Sequence, residues 1–182
     1  VCVSKPCVDI AEGYENIASM PSGSLLCKAF YPTVPGSTQK ISTLIAAYET
    51  LGVKKTNKLE YDCTGSWLNA NGQRINCHKS SGHGSQILSD AFANSCNPYF
   101  AQLVQSSELP LSKIIEVYQR MGYSVNETKA QPYTLDGISI PAASTVLTSD
   151  SDFDTQWGCL GQGETLISPY QIMLWQTAVA NG

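Results

Sequence analysis

Apolar residues recur at Ile41, Leu44, Ile45, Tyr48 and Leu51, a stripe with the 3.6-residue period of a helix face that stops at Gly52, a natural residue just past a helix end. Traced back to Ser37, the pattern predicts a helix whose first turn carries Ser37 and Lys40. A second helical pattern covers 86–93, and a short apolar run follows at 99–104. Proline disfavours helical backbone in the residue before it, so Pro98 predicts that Ser95, Cys96 and Asn97 sit at an interruption between two helices. Residues 111–121 place Leu111, Ile114, Ile115, Val117, Tyr118 and Met121 on one side of an amphipathic helix ended by Gly122. Ser168 and Pro169 supply a cap and a first-turn proline for a helix to Asn181 that is apolar almost all round, and therefore expected in the core with cover on both flanks. Residues 131–155, rich in Ser, Thr, Asp and Pro, read as loop with one short strand around Ile138-Ser139-Ile140. Alternation of Val1 and Val3 suggests a strand near 1–10.

Composition narrows the class. A chain of 182 residues can bury one core, and a 42% hydrophobic content argues against disorder. The net charge of −4 offers no basic face for nucleic acid. The sequence has no run of 18 apolar residues and no apolar signal-peptide segment near its start. Asn126-Glu127-Thr128 matches a glycosylation sequon but reads as a turn.

The candidate chemistry begins at Ser37-Thr38-Gln39-Lys40. Three residues advance a helix by about 300°, which leaves the two side chains about 60° apart around the axis, close enough for the amine to reach the hydroxyl. Lys40 also lies beside the apolar stripe. Burial disfavours the charged form of lysine and lowers its pKa, so Lys40 can act as the base that activates a Ser37 nucleophile. The N–H groups of the helix N-terminus can help stabilise the oxyanion formed when serine attacks a carbonyl. A polar loop at 95–97 can project Ser95 and Asn97 into the same cleft.

These residues resemble the transpeptidase domain of penicillin-binding proteins, whose motifs are Ser-x-x-Lys, Ser-x-Asn and Lys-Thr-Gly. The resemblance extends over the approach to the nucleophile, Tyr31-Pro-Thr-Val-Pro-Gly-Ser-Thr-Gln-Lys40, and over Asp90-Ala-Phe-Ala-Asn-Ser-Cys-Asn-Pro-Tyr-Phe-Ala-Gln-Leu103. Gly82-His83-Gly84 is similar to a Gly-His-Gly of such proteins, and Gly161-Gln162-Gly163 with the helix to Gly182 resembles their glycine turn and buried helix. One motif is missing, since neither Lys-Thr-Gly nor Lys-Ser-Gly occurs in the sequence. The expectation is one transpeptidase domain over 1–182, cut short before the third motif.

What the resemblance implies is an α/β fold, with a helical half and a central antiparallel sheet that is incomplete in this chain. It implies a D,D-transpeptidase in which Ser37 forms an acyl-enzyme with D-Ala-D-Ala stem peptides, Lys40 takes the serine proton, Ser95 passes a proton to the departing amine, and Asn97 holds the substrate amide. No cofactor is required. The implied partners are peptidoglycan stem peptides, β-lactam antibiotics and other cell-wall synthesis proteins, at the extracytoplasmic face of the bacterial cell membrane, with the anchor segment outside this chain. A serine β-lactamase or β-lactam sensor is the alternative. Asn97 weighs against it, because the oxacillinase-like class is expected to carry valine there. A non-catalytic fragment is the third reading, favoured by the missing motif.

Seven cysteines, at 2, 7, 27, 63, 77, 96 and 159, cannot all pair internally. Cys63 and Cys77 bracket a turn-rich segment whose ends can close in a disulfide. Cys63, Cys77, His78 and His83 also follow a finger-like order for zinc, but the 13-residue gap between the cysteines lacks the short knuckle spacing of such sites, and no metal ligands are assigned. Cys96 reads as a packed thiol, and His78 and His83 as turn residues.

Overall fold

The computed structural model describes residues 5–8, 15–127 and 132–182. The predicted strand near 1–10 lies mostly outside them, and Lys5 to Val8 adopt no strand. Helix α1 (Lys40–Leu51) ends at Gly52 and buries Lys40, Ile41, Ser42, Thr43, Ala46 and Ala47. Its buried polar residues are tied to other elements. Ser42 Oγ bonds the Tyr123 hydroxyl at 3.0 Å, while Thr43 Oγ1 bonds the Tyr118 hydroxyl at 2.8 Å and donates to the Cys159 carbonyl at 2.7 Å. A buried hydroxyl without a partner is costly, so these bonds fix which face of α1 meets which neighbour.

A short helix, α2 (Val53–Thr56), leads to strands β1 (Glu60–Cys63), β2 (Ser66–Leu68), β3 (Arg74–Asn76) and β4 (Gly84–Ile87). Strands β1 and β4 pair antiparallel with Cys63 opposite Gly84, and β2 and β3 form a hairpin. Then come α3 (Leu88–Ala93), α4 (Asn97–Gln105) and α5 (Leu111–Arg120). Strands β5 (Tyr123–Val125), β6 (Tyr133–Leu135), β7 (Ile138–Ile140) and β8 (Ala143–Thr145) follow, before helices α6 (Asp152–Cys159) and α7 (Pro169–Asn181). Strands β5 and β8 pair parallel, and β6 and β7 antiparallel. The described residues thus combine helices with two-stranded pairs, three of them antiparallel.

Three sequence expectations need correction. Residues 86 and 87 belong to β4, because pairing with β1 captures the start of the helical pattern at 86–93 and leaves α3 only six residues. Short apolar runs are ambiguous between strand and helix, and here a tertiary partner decides. The stretch read as loop with one strand holds β6, β7, β8 and the start of α6. The β6–β7 hairpin turns on Asp136-Gly137, both with positive φ, a two-residue turn signal that the sequence carries openly.

The third correction concerns α7. Ser168 Oγ caps it by accepting from the Gln171 N–H at 3.2 Å, as its sequence predicts. Yet only Gln171 and Trp175 are buried, while Leu174 and Val179 are 38% and 58% exposed. Trp175 stacks on Tyr123 at 4.8 Å, which stacks in turn on Tyr118 at 4.7 Å, and Trp175 Nε1 donates to the Met121 carbonyl at 3.1 Å. Tyr99, Phe100 and Leu103 of α4, Ala46 and Ala47 of α1 and Ile114 and Tyr118 of α5 belong to the same core. No helix among the described residues is long and apolar enough to cross a membrane.

Candidate active site

Ser37 lies in a 3₁₀ turn, Gly36–Gln39, that runs directly into α1. The helix predicted from Ser37 therefore begins three residues later, with Lys40 as its first residue. The turn is held from the far end of the chain. The Gly36 N–H donates to the Gly161 carbonyl at 2.9 Å, and Thr33 bridges Ile167. Gly161 has φ +83°, and a Cβ there would stand 2.0 Å from the Gly36 carbonyl oxygen and 2.6 Å from Gln39 Cβ. Only glycine lets the two segments approach this closely. The Tyr123 hydroxyl donates to Gln39 Oε1 and so anchors the same turn to the aromatic stack.

Lys40 is 1% exposed, and its amine is surrounded by oxygen. Nζ lies 3.1 Å from Ser37 Oγ, 3.1 Å from Ser95 Oγ, 2.6 Å from the Ser95 carbonyl oxygen and 2.7 Å from Asn97 Oδ1. The Phe100 ring centroid is 5.5 Å away. Burial lowers the Lys40 pKa to about 8, and the nearby Cys96 and Cys77 side chains oppose that fall only in part. The carbonyl and the amide oxygen can only accept, so they take two N–H groups. In the neutral amine this leaves the lone pair to face the two hydroxyls.

Ser95 and Asn97 arrive on the bend between α3 and α4. Ser95 has φ +50°, a left-handed conformation uncommon for a residue with a Cβ. The Ser95 N–H donates to the Phe92 carbonyl at 3.0 Å and the Cys96 N–H to the Ala91 carbonyl at 2.9 Å, which fastens the bend. Cys96 is the extended N-cap and Asn97 the first residue of α4, so the interruption predicted from Pro98 falls on Ser95 and Cys96. Asn97 Nδ2 donates to the Asn76 carbonyl at 3.2 Å, which turns Oδ1 toward Lys40. Ser37, Lys40, Ser95 and Asn97 thus meet around one amine.

Residues 13–182 match the penicillin binding protein transpeptidase domain. The chain belongs to that family. Over 89 residues it is 36% identical to stage V sporulation protein D of Bacillus subtilis, covering 49% of this chain and 13% of that protein. The fold is that of solved penicillin-binding proteins. Penicillin-binding protein A of M. tuberculosis, in a ceftriaxone acyl-enzyme complex, superposes with a TM-score of 0.78 at 18% identity, over 98% of this chain and 41% of that one. PBP2 of Pseudomonas aeruginosa, in complex with WCK 5153, gives 0.77 at 20% identity, over 98% and 41%. The chain therefore spans well under half the length of these relatives.

Sequence reasoning overlooked parts of this transpeptidase-family site. Phe100 beneath the amine and Gly161 behind the nucleophile turn fall inside the quoted resemblances but had no role assigned, and the Asn76 carbonyl that orients Asn97 has no local motif to mark it. The cysteines also differ from expectation. Cys63 and Cys77 are both free thiols, so the proposed disulfide is absent, and the six described cysteines are all unpaired. Cys96 is buried and its thiol is pushed up to about 12 by that burial. Burial also raises the Cys63 pKa, but bonds from the Gly65 and His83 backbone and from the Cys96 and Cys77 thiols outweigh it and leave the group below its ordinary value.

Proposed function

We propose that the chain is the serine acyltransferase part of a peptidoglycan D,D-transpeptidase. The observation that carries this reading is the single amine of Lys40, buried and within 3.1 Å of both Ser37 Oγ and Ser95 Oγ. Ser37 Oγ attacks the carbonyl carbon between the two D-alanines, and its proton passes to neutral Lys40. The tetrahedral intermediate collapses by breaking the C–N bond. The proton on Lys40 returns through the Ser95 hydroxyl to the departing amine, and D-alanine leaves. An amine from a second stem peptide then attacks the acyl-Ser37 ester, gives its proton to the same lysine, and forms the cross-link as the Ser37 hydroxyl is restored. Asn97 holds the substrate amide. Binding of the substrate carboxylate is assigned, by the family motif, to a Lys-Thr-Gly that residues 1–182 do not include.

A β-lactam would enter the same path and stop at the acyl-serine, as in the ceftriaxone acyl-enzyme of the M. tuberculosis protein. The location in keeping with this activity is the extracytoplasmic face of the cell membrane. Partners among other cell-wall synthesis proteins are in keeping with the Helicobacter pylori PBP2–MreC complex, whose PBP2 superposes with a TM-score of 0.64. The test is intact-mass spectrometry and peptide mapping of the full-length protein after exposure to penicillin. A long-lived adduct on Ser37 is expected, and none in Ser37→Ala. Labelling of another serine overturns the assignment, and rapid turnover of nitrocefin favours a β-lactamase instead.

A further inference from the structure

Four side chains that the acyl-transfer scheme does not use converge beneath the Ser95–Asn97 bend. Cys63 closes β1, Cys77 follows β3, His83 precedes β4, and Cys96 lies between Ser95 and Asn97. One donor atom from each of the four lies within 4.8 Å of every other. His83 Nδ1 is 3.5 Å from Cys77 Sγ and 3.8 Å from Cys63 Sγ. A tetrahedral zinc with Zn–S bonds of about 2.3 Å and a Zn–N bond of about 2.0 Å sets its donor atoms roughly 3.5–3.8 Å apart. Two pairs already stand at that spacing, and a contraction of at most about 1.3 Å would bring in the rest.

The surroundings suit an ion. Cys63 and Cys96 are buried, and Cys77 and His83 are half-buried, so the centre is shielded on the core side. The two turns that carry the donors are packed backbone to backbone. A Cβ on Gly82 would lie 2.1 Å from the Cys63 carbonyl oxygen, and one on Gly65 would lie 1.9 Å from that of Ser80. The His83 N–H donates to the Cys63 carbonyl and the Cys77 N–H to the Gly65 carbonyl, each at 2.9 Å. The backbone therefore sets donor positions from four elements before any ion arrives.

We propose that Cys63, Cys77, His83 and Cys96 bind one zinc ion in a closed, structural Cys₃His site that clamps the Ser95–Asn97 bend to β1 and the β3–β4 connection. Three thiolates and one imidazole select zinc over the hard cations magnesium and calcium, and four protein donors leave no open position for chemistry. On binding, each cysteine gives up its proton and His83 coordinates as the neutral imidazole through Nδ1. Three thiolates and Zn²⁺ leave one net negative charge. His78, the fourth ligand of the finger-like order in the sequence, is displaced from this set by Cys96. This inference stands apart from the acyl-transfer reading, because its donors and its test involve none of the reacting groups.

The test uses the full-length protein purified in zinc-containing buffer without chelator. Elemental analysis is expected to find about one zinc per chain, and cobalt substitution to give the intense visible bands and thiolate charge-transfer absorption of a tetrahedral sulfur-rich site. Cys63→Ser and His83→Ala should each lose the bound metal, while Cys159→Ser, remote from the cluster, should keep it. The cobalt spectrum of the unmodified protein reads the site even if those variants fold poorly. Less than about a tenth of an equivalent of zinc, metal retained in both ligand variants, or a disulfide among these cysteines with no metal uptake after reduction would each overturn the proposal.

Discussion

The Ser95 carbonyl oxygen lies 2.6 Å from Lys40 Nζ, closer than either serine hydroxyl to the same amine. A backbone acceptor at that distance, with Asn97 Oδ1 at 2.7 Å, aims the amine and not merely its charge. Lys40→Arg keeps a cation but cannot give up a proton. The expected result is a fall in penicillin acylation of at least about a hundredfold, with an unchanged circular dichroism spectrum. Stopped-flow or mass-spectrometric acylation rates check it, and wild-type rates in Lys40→Arg would remove lysine from the base role.

With Lys40 lowered to about 8, the acylation rate should climb with pH and level off above that value, as the neutral amine becomes the dominant form. A rate independent of pH between 6 and 9 would contradict this.

The same group shapes stability in a defined direction. Below about 8 the folded and unfolded chains both hold the Lys40 proton, and burying the ammonium weakens the fold. Between about 8 and 10.5 the unfolded chain keeps the proton that the folded chain has released, so stability rises with pH across that window. The full effect is at most about 3–4 kcal/mol. Urea unfolding of the wild type and of Lys40→Met at several pH values reads it, as a difference that should shift toward the wild type between about pH 8 and 10.5.

Gly161→Ala should lower stability by about 1–3 kcal/mol, because the added methyl meets the Gly36 backbone and the residue must hold a left-handed conformation. Acylation of the folded fraction should fall as well, since Gly36 adjoins Ser37. A variant with normal rate and melting temperature would show that the glycine turn does not hold the nucleophile.

Thr43→Val separates scaffold from chemistry. It removes the bonds to the Tyr118 hydroxyl and the Cys159 carbonyl and leaves both buried groups short of a partner. A loss of about 1–3 kcal/mol is expected, with the acylation rate of the folded protein nearly intact. Differential scanning calorimetry paired with the acylation assay tests both parts.

How far the sequence could be read depended on how local each signal was. The Ser37–Lys40 contact, the stop at Gly52 and the Ser168 cap each rest on neighbours along the chain and are present in the structure, although the helix itself starts at Lys40 and leaves Ser37 in the turn before it. Residues 86 and 87 carry a helical pattern locally but join a strand because β1, more than twenty residues earlier, supplies their partners. The Asp136-Gly137 hairpin turn, by contrast, is a purely local signal. Cys96 has a sequence context that suggests packing alone, and its approach to Cys63, Cys77 and His83 follows from the β1–β4 register and the α3–α4 bend together. No spacing rule joins such donors, because the space between them is set by tertiary contacts.

The bond from Gly36 to Gly161 spans about 125 residues of chain. Closing so long a loop costs entropy that local helix formation does not, so contacts of this kind tend to form late in folding. On a ribosome, α1 can coil as soon as its own sequence emerges, while the turn that presents Ser37 must wait for the segment from Gly161 to Ile167. Reactivity toward a β-lactam would then serve as a clock for the last stage of folding, silent in any intermediate that has its helices but has not yet brought its distant end home.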